Sequence, residues 1–205
     1  MKILIKILLL VNFLLSQNHS LSFYPNGGSE NIGDDDVYIG MVNELNSPSQ
    51  FSVSFWFKRF NDRSHNTNHA TSNVLYSKGS DAYNDNIEIG TDGPNVEIYL
   101  HTQASDGYYG NVQVASYNAG IQNNVWYHLV FTYNASDSYE GKLYINGNMV
   151  QQWNVWGGPL CGCGTWDHVQ YSPLTFGSTR HGYAPFEGLM DEVVIWSSTL
   201  SSNAI

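Results

Sequence analysis

The segment at 126–150, WYHLVFTYNASDSYEGKLYINGNMV, constrains the fold more than any other part of the chain. Its first run, WYHLVFTY, is dense in aromatic and β-branched side chains. Such residues suit a pleated, half-buried surface and read as a strand. A polar break follows, then KLYI, then Asn146-Gly147, a dipeptide that tolerates the positive φ angles of a two-residue hairpin turn. The same grammar recurs elsewhere: LSFY (21–24), VYIG (37–40), FSVSFWFKR (51–59), VLYSKG (74–79), NIEIG (86–90), VEIYLHT (96–102), VQVAS (112–116), MVQQW (149–153), LTFG (174–177) and MDEVVIW (190–196). In FSVSFWFKR the alternation is clean, with Phe51, Val53, Phe55 and Phe57 on one face and Ser52, Ser54 and Trp56 on the other. Thr91-Asp92-Gly93-Pro94 is turn chemistry between two of the strands. No convincing helix and no fixed-period repeat interrupts the series. Strands joined by polar loops without intervening helices predict an all-β, antiparallel β-sandwich.

Residues 1–20 read as a secretory signal peptide. Lys2 and Lys6 open it, 7–15 is almost wholly apolar, and cleavage is expected between Ser16 and Ser20. A membrane anchor needs roughly 18 or more apolar residues, and Lys6 and Asn12 interrupt this stretch. Once the signal is removed, no membrane insertion is expected. The remaining 21–205 suffices for one domain with a full core. A net charge of −10 argues against nucleic acid, which demands a basic face to neutralise phosphate. The acidic excess serves solubility, and some of its carboxylates also suit Ca²⁺, a hard cation that takes oxygen ligands.

The two cysteines, Cys161 and Cys163, flank Gly162. A secreted chain oxidises such a pair. The first expectation is a strained local disulfide over a glycine bend, with an intermolecular bridge next. A zinc site with Asp167 and His168 has the right ligand types but lacks the C-x-x-C spacing.

Four landmarks resemble the laminin G-like, concanavalin A-like lectin/glucanase jelly-roll domains. FSVSFWFKR is similar to the family's aromatic strand with an internal Trp, and NVLYSKG (73–79) to the strand and turn that follow. WYHLVFTY with KLYINGNMV is similar to its central hairpin, and FEGLMDEVVIW (186–196) to its closing strand. The resemblance runs from 21 to the end and implies one jelly-roll domain. It speaks for the fold and not for a ligand, because this superfold hosts lectins, adhesion modules, carbohydrate-binding modules and glycosidases. Family domains continue past the closing strand into a helical turn. TLSSNAI stops within it, so a piece of a longer protein is expected.

Glycosidases of the superfold carry catalytic carboxylates along one strand, in a pattern like E-x-D-x-E. Positions i, i+2 and i+4 share a face, so an acid and a nucleophile can stand roughly 5–5.5 Å apart. Here DNIEIG (85–90) comes nearest, but Asp85 and Glu88 fall on opposite faces, and Asp85 shares its face with Ile87 and Ile89. Glu97 shares its face with Tyr99 and His101. No within-strand pair results, and Glu88 and Glu97 read as solvent-facing. No nucleophile elbow, zinc-protease helix, P-loop or dinucleotide fingerprint is present. His128 reads as a hydrogen-bonded core histidine. A non-catalytic chain is expected.

Two kinds of binding remain. By resemblance, Asp191 at the closing strand holds a structural Ca²⁺, with Asn26 and Asp36 as partners from the opening turns. The alternative is that Asp191 simply hydrogen-bonds neighbouring backbone amides. Carbohydrate needs flat aromatic rings beside amide and carboxylate partners. The loop at 153–171 offers Trp153, Trp156, Trp166 and Tyr171 with Asn154, Asp167 and His168. Further clusters are Asp106, Tyr108, Tyr109 and Asn111, and Arg180, His181 and Tyr183. Such loops gather at the ends of a sandwich or line its concave face. Equally, the rings can fold inward as lids on the core. The expected partner is a glycan, bound by a secreted, extracellular module; an extracellular protein is the alternative partner, and a hydrolase with displaced carboxylates the alternative activity. Asn134-Ala135-Ser136 is an N-glycosylation sequon in a polar turn.

Overall fold

The computed structural model describes residues 4–5, 20–24, 36–46, 48–63, 72–79, 87–102, 111–154, 173–179 and 184–205. Strands dominate, and among the described residues there is no α-helix, only short 3₁₀ turns such as Asn43–Leu45 and Ser202–Ala204. One sheet runs, in spatial order, through β1 (Leu4–Ile5), β13 (Gly188–Trp196), β4 (Gln50–Arg59), β9 (Trp126–Asn134), β10 (Gly141–Ile145) and β11 (Asn148–Trp153), with β2 (Leu21–Phe23) also paired to β13. The second runs through β3 (Val37–Gly40), β12 (Leu174–Phe176), β5 (Tyr76–Lys78), β6 (Ile87–Asp92), β7 (Asn95–Thr102) and β8 (Asn111–Asn118). Every strand pairing is antiparallel. Strands distant in sequence lie side by side, so chain crossovers tie the two layers together. β1 lies within the segment read as a signal peptide and pairs Leu4 with Trp196 and Ile5 with Ile195.

The expected alternation decides which faces meet. Phe51, Val53, Phe55 and Phe57 of β4 are buried, as are Tyr127, Leu129, Phe131 and Tyr133 of β9. From the other sheet, Ile87, Ile89, Val96, Ile98, Leu100, Leu174 and Phe176 join the same core cluster. Rings interlock within it, for example Phe51 with Phe131 at 5.9 Å and Tyr76 with Phe176 at 5.7 Å. Each such side chain stabilises the fold by roughly 1.5–3 kcal/mol relative to exposure.

Turn chemistry fixes the hairpins. Asn146 (φ 51°) and Gly147 (φ 78°) take the left-handed conformations of a type I′ turn, and the Asn146 carboxamide oxygen accepts the His128 N–H at 2.9 Å. Gly93-Pro94 closes β6 onto β7. At Gly188 the constraint is space: a Cβ there would overlap the Lys58 carbonyl oxygen and the Phe186 ring. One end of the sandwich is tied by Arg59, which is 3% exposed. Its guanidinium donates to Asp62 (2.9 Å), Thr91 (3.1 Å) and Asn123 (2.8 Å). Asp62 also accepts from Asn73 Nδ2 and the Gly93 N–H.

Candidate functional site

The outward side chains of β4 are Ser52, Ser54, Trp56 and Lys58, and they define the outer face of the seven-stranded sheet. One end of this face is closed by the chain's last residues. Ser52 Oγ donates to the Ser198 carbonyl and accepts the Leu200 N–H, both at 2.9 Å, and Tyr144 OH meets Ser202 Oγ at 3.0 Å.

The other end is open and aromatic. Trp56 is 36% exposed and stacks on His128, with centroids 5.1 Å apart and planes 29° from parallel. Strand register places Asp191 opposite Trp56 on the far side from His128. His128 Nε2 shares a hydrogen bond of 2.8 Å with Ser54 Oγ. Partial burial lowers the proton affinity of its imidazole, and the Glu192 carboxylate opposes that shift. Further along, the Lys58 ammonium lies 5.5 Å from the Phe60 ring centroid and 5.4 Å from that of Trp126, while the Tyr24 ring, tilted by 38°, lies 5.6 Å from Phe60. The face therefore offers flat rings flanked by a cation, a carboxylate and an imidazole. His128 is hydrogen-bonded as expected, but it lies on this outer face and not in the core, because its position on β9 has the opposite parity to Tyr127 and Leu129.

The outer face of the six-stranded sheet is polar. Register aligns Tyr38, Thr175, Ser77, Glu88 and Tyr99 in one row across β3, β12, β5, β6 and β7. Tyr38 at its edge is 63% exposed, whereas Thr175, Ser77 and Glu88 are wholly buried and Tyr99 nearly so. The solvent-facing reading of Glu88 is thus corrected. Alternation sends it to the outer face, but that face is closed to water at the centre of the sheet. Glu97 stands on the same face, two residues before Tyr99 on β7 and opposite Gly90. Diagonal neighbours on adjacent strands lie about 7–8 Å apart at the backbone. Two glutamates therefore share a face by pairing across strands, which periodicity along a single strand does not reveal.

Of the residues singled out for binding sugar or metal, the structure describes Trp153, exposed Asn154, Asp191, Asp36 and the backbone of Asn111 at the start of β8. Trp153, at the end of β11, is half-buried and packs against the hydrophobic core. Asp191 sits where the β13–β4 register shifts, and its Oδ1 accepts the N–H of Glu192, whose φ is 50°. Asp36 leads into β3 and accepts from Ser178 Oγ at 3.1 Å. The two aspartates belong to different sheets and each already has a protein donor. Among the described residues no group of three or more His, Cys, Asp or Glu is gathered to hold a metal ion. These two aspartates alone do not make the six- to eight-oxygen shell that Ca²⁺ takes. Trp156, Trp166, Asp167, Tyr108, Tyr109, Tyr183, Asn26, Cys161 and Cys163 lie outside the described residues. What sequence reasoning missed is the open aromatic strip of Trp56, Lys58, Phe60 and Trp126. The outward parity of Trp56 and Lys58 on β4 was the available signal.

Two antiparallel sheets, face to face around an aromatic core, with strands crossing between layers, define a concanavalin A-like jelly roll. The chain belongs to the concanavalin A-like lectin/glucanases superfamily, whose laminin G-like family model matches residues 14–205. No curated protein sequence matches it significantly. Among solved structures it is similar to the SAP-like pentraxin of Limulus polyphemus, at 14% identity and TM-score 0.57, over 89% of this chain and 77% of that one. It is also similar to the Ruminococcus gnavus IT-sialidase CBM40 bound to α2,3 sialyllactose, at 13% identity and TM-score 0.58, over 82% and 92% of the two chains. The ligand binding domain of botulinum neurotoxin serotype D, in complex with N-acetylneuraminic acid, aligns at 19% identity and TM-score 0.55, over 85% of this chain and 39% of that one. At these identities the likeness is one of fold.

Proposed function

We propose that this chain is a secreted, non-catalytic carbohydrate-binding module. The observation that carries the reading is the exposed Trp56 ring set between Asp191 and His128 in register. A pyranose lays its weakly apolar face on the side of the ring that His128 does not cover, while its hydroxyls meet the Asp191 carboxylate. Two solved structures of the same fold carry sugars, α2,3 sialyllactose and N-acetylneuraminic acid, which supports the same class of ligand here. A glycan array tests it. Binding to at least one glycan family, weakened about tenfold in Trp56→Ala, is the expected result for a lost stacking contact. Binding to an extracellular protein with no glycan retained refutes it.

A second reading, a glycoside hydrolase, is favoured by one observation: buried Glu88 and half-buried Glu97 share the outer face of the six-stranded sheet. Two carboxylates flanking a scissile bond are what such chemistry needs. Turnover of a β-glucan panel that disappears in Glu88→Gln establishes it, and absence of turnover in the native chain removes it.

A further inference from the structure

We propose that the glycan recognised at this face carries a carboxylate, as sialic and uronic acids do, and that Lys58 is its anchor; this rests on the carbohydrate reading above. The argument begins with charge. The chain has 8 Lys and Arg against 18 Asp and Glu, so acidic partners are plentiful. Arg59 is paired with Asp62 at 2.9 Å and Lys142 with Asp137 at 2.6 Å. Lys78 is buried and donates to Asn46 at 2.9 Å. Lys58, like Arg63, makes no ion pair among the described residues. Its ammonium rests instead over Phe60 and Trp126. Ring contacts of this kind hold the cation in place without neutralising it, so its charge stays available to an incoming anion.

The spacing suits one sugar. Lys58 and Trp56 project from the same face of β4 two residues apart, about 7 Å along the strand. An exocyclic carboxylate oxygen lies about half that distance from the centre of a stacked pyranose, and an ion-pair contact of about 2.8 Å covers most of the remainder. Asp191 beside Trp56 then orients the ring. It accepts hydrogen bonds from hydroxyls and repels the acid group, which is left to point toward Lys58. The net charge of −10 further favours a single carboxylate over a polyanion, whose additional charges the rest of the surface repels.

The test compares α2,3-sialyllactose, lactose, and a glucuronic-acid-terminated oligosaccharide with its neutral glucose counterpart. Titration calorimetry is run on the native chain, Lys58→Met, Lys58→Gln and Lys58→Arg, with a melting curve on each to confirm folding. The native chain is expected to prefer at least one acidic sugar over its neutral partner by about tenfold, with the preference shrinking as salt rises, as for a partly exposed charge pair. Lys58→Met and Lys58→Gln lose that preference, and Lys58→Arg retains it. The sialic and glucuronic arms show which acid is taken. Equal binding of acidic and neutral sugars by the native chain overturns the inference and leaves the carbohydrate reading standing. So does an acid preference that survives in both Lys58→Met and Lys58→Gln. Failure to bind any glycan on the array overturns both.

Discussion

Replacing Lys78 by Met is expected to stabilise the fold. Lys78 is 1% exposed and shares its face of β5 with Tyr76, against Leu174 and Ile87 in register, so its side chain is directed into the sandwich. Burial pulls its ammonium from the ordinary 10.5 down to about 8. Because the folded state holds the proton less tightly than the unfolded chain, the charged form carries a penalty at pH 7, where both states are protonated. The difference of 10.5 − 8 is 2.5 units, or about 3 kcal/mol at 1.36 kcal/mol per unit. Between pH 8 and 10.5 the unfolded chain binds more protons than the folded one, so this contribution to stability rises with pH through that window. Met keeps the stem's volume and removes the charge. It also forfeits the polar contacts of the ammonium, the hydrogen bond to Asn46 among them, each a loss of about 1 kcal/mol, which leaves a net gain of about 1 kcal/mol at pH 7. Urea unfolding of both proteins at pH 7, 8, 9 and 9.5 measures it. The buried hydroxyls of Tyr76 and Tyr133 are pushed upward by desolvation, and their contribution runs the other way as pH approaches 10. The quantity to follow is therefore the difference between the two proteins, in which the tyrosines cancel. The gap should be widest at pH 7 and narrow as pH rises. A destabilised mutant, or a gap independent of pH, refutes the reasoning.

Asp62→Ala leaves the Arg59 guanidinium buried without its carboxylate and strips acceptors from Asn73 and Gly93; a loss of about 3 kcal/mol in urea unfolding is expected. Gly188→Ala forces the β13 backbone away from the Lys58 carbonyl and the Phe186 ring; overpacking costs about 1–3 kcal/mol, and an unchanged unfolding midpoint contradicts the close approach. Chelation with EDTA should lower the melting temperature by several degrees if Ca²⁺ binds only the folded state, and identical melts in Ca²⁺ and EDTA dismiss the ion.

Most of the architecture is legible from residue order. The alternation in FSVSFWFKR names the buried face of β4, WYHLVFTY marks β9 as a strand though His128 on it faces outward and not into the core, and Asn146-Gly147 and Gly93-Pro94 mark turns where the chain does reverse. The site was read less well. Aromatics in the glycine-rich loop drew attention, yet Trp153, the one among them that the structure describes, packs against the core. The open ring lies instead on a strand, at Trp56, with half-buried Trp126 opposite Lys58 on the next strand, where a sequence reading sees only the polar side of an amphipathic ribbon.

What local sequence determined is the set of strands, their inward faces and their reversals, because a period of two and the φ demands of turn residues act within a few positions of each other. Tertiary structure decided which outward faces stay open. Lys58 and Lys78 are chemically the same side chain on strands of similar pattern. One projects into an aromatic strip and the other is enclosed among Leu174 and Ile87. Glu88 and Glu97 share a face through the β6–β7 register. The physical reason is that enclosure and cross-strand neighbours depend on which strands pair and what closes over them, and those partners come from distant parts of the chain.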